Sequence, residues 1–239
     1  MAGNFDNSIR EQLRTVNIST LTTCLFRRGF RSRLIDGVCP INVDVARMVG
    51  EAFTLRFIPA REDIDVMAAY ADEAHVQRQA MEECPAGHVL VIDSLSDASA
   101  ASAGDNMLGR LKARGVEGAV TDGGFRDTLD IKRLAFPAFH RRPAPATSPI
   151  RFHAADLGLP IGCGGVGVYP GDIVVSDPEG VVVIPRELAG EIADEASEMT
   201  AYDEFVSEKV AEGRSLFGLY PSTANSRDEF DFWQKRHQD

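Results

Sequence analysis

Hydrophobic positions change their spacing several times along this chain, and each change marks an element. In "NSIREQLRTVNISTLTTCLFRRG", Ile9, Leu13 and Val16 recur at helical intervals and the stretch closes on Gly29 behind two arginines, so an opening helical region is expected. "GEAFTLRFIP" alternates and is rich in β-formers, which predicts a strand. "REDIDVMAAYADEAHVQRQAMEECPAG" then carries Ile64, Met67, Ala71, Ala74 and Met81 at helical spacing before a Pro and Gly stop, which predicts a helix.

The next segments alternate in type. "HVLVID" is a short apolar strand ending in Asp93, "GDNMLGRLKARG" a helix, "VEGAVTDGG" a second strand and "DTLDIKRLAF" another helix. Such β-α-β-α order argues for parallel strands joined by helical crossovers, with ligands bound beyond the carboxyl ends of the strands, where Asp93 and Asp122 fall. After the Pro-rich "RRPAPATSPIRFH", the run "GCGGVGVYPGDIVVSDPEGVVVIP" has turn signals between β-rich stretches and predicts an antiparallel layer. From Arg186 a long helix is expected, with Leu188, Ile192, Met199, Phe205 and Val210 near one stripe. Residues 214–239 hold Phe217, Tyr220, Phe230, Phe232 and Trp233, too aromatic for a solvated linker, and are expected to pack on the domain or on a neighbouring subunit. No linker or internal repeat divides the chain. The expectation is one α/β domain over 1–239, a mixed parallel and antiparallel sheet with helices outside.

Charge and composition narrow the function. A net charge of −11 opposes sequence-independent binding to nucleic acid, which relies on clustered Lys and Arg. No apolar run is long enough to cross a bilayer and the start is polar, so a cytoplasmic protein without membrane attachment is expected. Cys24, Cys39, Cys84 and Cys163 are scattered, as reduced packing residues are. His75, His88, His140, His153 and His237 have no zinc-ligand spacing, so any metal is expected on oxygen ligands.

Two loops carry candidate chemistry. "SAGDNMLG" and "TDGGFRD" each follow a predicted strand, and a parallel crossover would bring them to one edge. In the first, the amides near Asp105, Asn106 and Met107 open a helix and would attract a carboxylate. In the second, Arg126 offers a bidentate fork to an oxyanion and Asp127 a hard oxygen ligand. The same residues also suit helix capping, a surface ion pair and tight glycine turns, and spacing alone does not separate the two readings.

"GDNMLGRLKARGVEGAVTDGGFRD", followed by "GGVGVYPGDIVVSDPEGVVVIP", resembles the family of the RNase E activity regulator A and 4-hydroxy-4-methyl-2-oxoglutarate aldolase, in a longer-tailed branch. The resemblance implies a swivelling β/β/α sandwich, assembled as a homotrimer or a dimer of trimers with sites between subunits. Its enzymatic members are Mg²⁺- or Mn²⁺-dependent pyruvate aldolases. Carried over, it implies Asp127 as metal ligand, Arg126 as pyruvate contact and oxyanion stabiliser, and Asp105 as the acid near the metal's water. Gly104, Asn106 and Met107 match the positions that hold the pyruvate moiety. Leucine is common in the family where Asn106 stands here, but only the amide is needed. An acidic residue of the adjacent subunit also approaches the metal in the aldolases, and Glu198, Glu204 and Glu208 are candidates for it. Members that regulate a ribonuclease without catalysis lack the full constellation, so retention of Arg126 and Asp127 favours the enzyme over a protein-binding regulator.

The implied reaction is retro-aldol cleavage of a 4-hydroxy-2-oxo acid, with oxaloacetate decarboxylation as a side activity through the same enolate. Lys112, Lys132, Lys209 and Lys235 all lie in polar surroundings, unsuited to the desolvated amine a Schiff base needs. Two substrate classes fit: C-methylated dicarboxylic oxo acids, which want a second cation such as Arg31, Arg33 or Arg61, and 2-keto-3-deoxy sugar acids, which want hydroxyl partners.

Overall fold

The computed structural model describes residues 5–237; the outermost positions of the domain expected over 1–239, residues 1–4 and 238–239, lie outside it. The described residues form twelve strands: β1 (Cys39–Pro40), β2 (Met48–Pro59), β3 (His88–Asp93), β4 (Ala101–Ala103), β5 (Gly118–Thr121), β6 (Gly124–Phe125), β7 (Ala138–His140), β8 (Phe152–Leu157), β9 (Ile161–Cys163), β10 (Val166–Val168), β11 (Ile173–Asp177) and β12 (Gly180–Ile184). The α-helices are α1 (Asn7–Thr15), α2 (Ile18–Arg27), α3 (Val76–Glu83), α4 (Asp105–Ala113), α5 (Thr128–Leu134), α6 (Ala189–Ala211) and α7 (Ala224–His237).

One mixed sheet runs in the order β1-β7-β5-β3-β2-β11-β12. Strands β2, β3, β5 and β7 are parallel, and β11 and β12 extend the sheet antiparallel, as the two styles of sequence predict. β2 is long enough to serve two partners, pairing with β11 through Met48–Glu51 and with β8 through Leu55–Pro59. The sheet nearly closes into a barrel. Leu34 bridges to Val182 at one edge, while Cys39 and Pro40 pair with β7 at the other, so one short stretch touches both ends of the strand order.

The period-two pattern of each strand sorts its side chains between cores. Val89 and Val91 of β3 join Val120, Val174, Val181 and Val183 on the inner face, while Leu90 and Ile92 face outward beneath α3, α4 and α5. On the opposite flank, Val49, Ile173, Val175 and Val182 pack against Leu13, Leu21, Leu25 and Ile192 of the helices α1, α2 and α6. Each such fully buried aliphatic contributes about 1.5–3 kcal/mol relative to exposure. The tail folds back on α6, where Leu219, Phe230 and Trp233 bury against Tyr202, Phe205 and Val206.

One expected element is broken. Instead of a helix from Ile64 to Met81, the chain forms a 3-10 turn at Met67–Ala71 and then α3 alone, leaving Ile64 and Met67 exposed. Aspartates compete with the helix for backbone donors: Asp65 accepts the Arg61 amide at 2.7 Å and Asp72 the Ala74 amide at 2.9 Å. No helix among the described residues is long and apolar enough to cross a membrane.

Candidate active site

The parallel pairing of β3 with β5 brings the loops after them to one edge, where the small strands β4 and β6 also pair in parallel. The Arg126 amide donates to Ala103 O at 3.1 Å, which seats the Arg126–Asp127 pair directly beside Gly104. Gly104 is the N-cap of α4 and has no side chain to cap it; the first amide satisfied inside the helix is that of Leu108, by Gly104 O at 3.1 Å. The N–H groups of Asp105, Asn106 and Met107 are therefore the unpaired donors at the positive end of the helix. A Cβ at position 104 would lie 3.0 Å from Asp127 Oδ2 and 3.1 Å from Arg126 Cγ, so glycine is what lets the two loops close on each other.

Asp127 has left-handed backbone angles (φ 56°, ψ 39°) at the N-cap of α5, yet its carboxylate makes no capping bond. A non-glycine residue in that region costs about 1–2 kcal/mol, so the conformation is held by its surroundings. The carboxylate instead accepts from Arg126 Nε at 2.9 Å, with both side chains roughly two-fifths exposed. Asp105 is bonded only to its neighbour, through Asn106 Nδ2 at 3.4 Å.

Behind this open pair lies a buried polar floor. Asp122 is 2% exposed and accepts from Ser94 N (2.7 Å), Ser96 N (3.0 Å), Ser96 Oγ (2.9 Å) and Gly164 N (3.3 Å). Those bonds hold Leu95 and Ser96 at positive φ. The hydroxyls of Ser94, Ser102 and Thr121 form a triangle with sides of 2.7 to 2.9 Å. Gly123 and Gly124 are required by close approach: added Cβ atoms would meet Ser94 Cβ at 2.6 Å and Ala144 Cβ at 2.4 Å. His140 accepts the Phe125 amide through Nδ1 at 3.3 Å, and burial holds its pKa down at about 4, so it is a neutral acceptor at neutral pH.

Gly104, Asp105, Asn106, Met107, Arg126 and Asp127 line one cavity of about 400 Å³. All six site residues expected from the sequence thus meet on one wall. The opposite wall was not foreseen: Met67 and Tyr70 of the 3-10 turn, Gln77 and Arg78 of α3, and Thr147 and Ser148 of the Pro-rich connection. Only Gln77 left a trace in the sequence, as a polar residue on the same helical face as Ala80 and Met81.

Arg31, Arg33 and Arg61, possible sources of a second cation but better read from sequence as surface charges, lie away from the cavity: Arg61 pairs with Asp63, Arg33 bonds Gly167 O, and Arg31 sits over Phe26. Arg78 is the cation at that wall. Of the glutamates proposed for a neighbouring site, Glu198 pairs with Arg227 and Glu208 with Trp233, ties that bind α6 to the tail, and Glu208 also pairs with Lys209 within α6. Among the described residues no group of three or more His, Cys, Asp or Glu is arranged to hold a metal ion.

The fold is a mixed α/β sandwich whose sheet nearly closes, and at its strand ends an Arg–Asp pair lies beside a helix N-terminus in one cavity. Residues 15–183 match the family model described as "RraA-like: Aldolase/RraA", and the chain belongs to that family. A provisionally named 4-hydroxy-4-methyl-2-oxoglutarate aldolase of Halalkalibacterium halodurans is 40% identical over 146 residues, covering 61% of this chain and 67% of that protein. An uncharacterized protein of Methanocaldococcus jannaschii is 39% identical over 106 residues, covering 44% of this chain and 50% of its own length. Among solved structures, RraAS2 of Streptomyces coelicolor, an unusual member of the RNase ES inhibitor RraA family, superposes with a TM-score of 0.73 at 30% identity, covering 84% of this chain and 96% of its own. The chain is thus a longer variant, with α6 and α7 lying beyond the matched family segment.

Proposed function

We propose that this protein is a divalent-metal-dependent pyruvate aldolase that cleaves a 4-hydroxy-2-oxo acid to pyruvate and an aldehyde or oxo acid. The observation that carries the reading is the convergence of Arg126, Asp127, Asp105 and the free amides of α4 on one cavity. No lysine lines that cavity, which speaks against a Schiff base.

The donor set suits Mg²⁺ or Mn²⁺. Those ions keep several waters and need only one or two carboxylates, and Asp127 and Asp105 are hard oxygen donors free of capping or buried bonds. When bound there, the ion would supply Lewis-acid stabilisation of negative charge on the 2-oxo oxygen. The α4 amides of Asn106 and Met107 would take the substrate carboxylate. Arg126 would turn from Asp127 to the 2-oxo oxygen and stabilise the enolate. Asp105 would accept the 4-hydroxyl proton, directly or through one water, as the C3–C4 bond breaks and its electron pair enters the enolate. The same proton would return to C3 to give pyruvate. Oxaloacetate would lose CO₂ through the same enolate.

The assembly that goes with this reading is a homotrimer or a dimer of trimers. Its support is large exposed apolar side chains, Leu129 beside Asp127 and Phe217 in the tail.

The test is pyruvate release, coupled to lactate dehydrogenase, with Mg²⁺ or Mn²⁺ and a panel of 4-hydroxy-2-oxo acids. Wild type should turn over at least one, and Arg126→Ala should lower the rate by ~100-fold or more. No metal binding and no pyruvate from any substrate would favour the regulator instead.

A further inference from the structure

The far wall of the cavity holds two buried polar atoms with no partner. Gln77 is 1% exposed; its Nε2 donates to Ser102 O at 2.6 Å, while its Oε1 meets no donor among the described residues. The opposite amide orientation would set Oε1 against the Ser102 carbonyl, so the free atom is the acceptor. Ser148 is 7% exposed and its Oγ has no hydrogen-bond partner, with the Tyr70 hydroxyl as its nearby polar neighbour. Both residues line the same cavity as Arg126 and Asp127. Buried polar groups are paired in the great majority of native structures, and two orphans on one wall call for an occupant.

The chemistry of that occupant follows from the atoms. Gln77 Oε1 can only accept, and Ser148 Oγ can donate or accept, so the pair suits neutral groups that do both: alcohol hydroxyls. The cation on this wall, Arg78, is exposed and also lines an outer groove, where solvent screens its charge. A desolvated acceptor discriminates far more sharply than an exposed cation, because a ligand lacking the hydroxyl leaves it unpaired.

We propose that Gln77 and Ser148 form a hydroxyl-binding subsite and that the substrate is a 2-keto-3-deoxy sugar acid, its polyol end against α3 and the Pro-rich connection. The assignment rests on the aldolase reading for the reaction, but not for the binding preference. Gln77 and Ser148 are then specificity-determining residues that touch the substrate beyond C4.

The experiment separates the two. With Mn²⁺ present, binding of D-gluconate and hexanoate is measured by calorimetry; neither has a 2-oxo group, so neither can be cleaved. Gluconate should bind at least ~10-fold more tightly, the size expected for a buried acceptor satisfied or left bare. In Ser148→Ala, which loses no existing bond, and in Gln77→Met, which keeps the volume, that preference should fall to within ~3-fold. Equal binding of both acids by wild type, or a preference unchanged in both variants, overturns the subsite. In parallel, kcat/KM for 2-keto-3-deoxygluconate should exceed that for 4-hydroxy-4-methyl-2-oxoglutarate and drop in Ser148→Ala. A variant-sensitive gluconate preference without any pyruvate release would uphold the subsite and reject the aldolase.

Discussion

Asp122 and Asp127 flank the short strand β6, yet the first is sealed beneath Ser94, Ser96 and Gly164 with four donors on its carboxylate, while the second stands in the cavity wall with only Arg126 beside it. The buried aspartate holds the backbone of two other segments; the open one is held in a left-handed conformation that its own side chain does nothing to stabilise. The difference teaches where rigidity and reactivity reside in this site. The floor is closed and satisfied, so that the wall above it can keep an ion pair open to the cavity.

Substitutions at the two aspartates should therefore move different observables. The largest effect is expected for Asp122→Ala, which leaves several buried donors bare and releases the strained Leu95–Ser96 turn: a loss of about 3–5 kcal/mol in chemical denaturation. A loss under ~1 kcal/mol would mean that the floor is not what holds the site. Asp127→Ala should do the reverse, lowering pyruvate-forming turnover by ~100-fold or more while costing only about 1 kcal/mol of stability, since the carboxylate makes no cap bond and alanine must hold the same left-handed backbone.

The floor should also titrate. His140 has a folded pKa of about 4 against an ordinary value near 6.5, so the unfolded chain takes up the proton first as pH falls. Its contribution is full above about pH 6.5 and is lost progressively down to about pH 4. Denaturation midpoints measured across that window should fall in wild type and fall less in His140→Gln. The smallest effect is expected for Gly104→Ala. The new Cβ would press on the Asp127 carboxylate and the stem of Arg126, so activity should drop by ~10-fold while stability changes by about 1 kcal/mol or less.

How much of this could be read in the sequence divides along the same line. Arg126, Asp127 and the opening of α4 were legible because their placement is local: a strand, a glycine turn, then a helix, with parallel crossovers doing the rest. The sheet type was legible too, because β-α-β-α order and turn-punctuated β runs have different signatures. Asp122 could be placed at a strand end but not given its function, since Ser94 and Gly164 come from segments far away in the chain. The segment before α3 misled because aspartate side chains, invisible to hydrophobic periodicity, took the backbone donors. The far wall was legible least. Ser148 carries no local signal, and it faces Gln77 only through tertiary packing.

The stretch from Leu34 to Pro40 has a consequence for how the molecule behaves in a crowded solution. Strand β12 ends on a single bridge at Leu34, and β7 ends on the two residues of β1, one of them a proline without an N–H to offer. Neither terminus of the main strand order presents a run of free backbone donors and acceptors long enough to template a strand from another molecule. Those two borders are protected against edge-to-edge aggregation without the usual screen of lysines. Contacts made there with other chains must be read through side chains, not through an added strand.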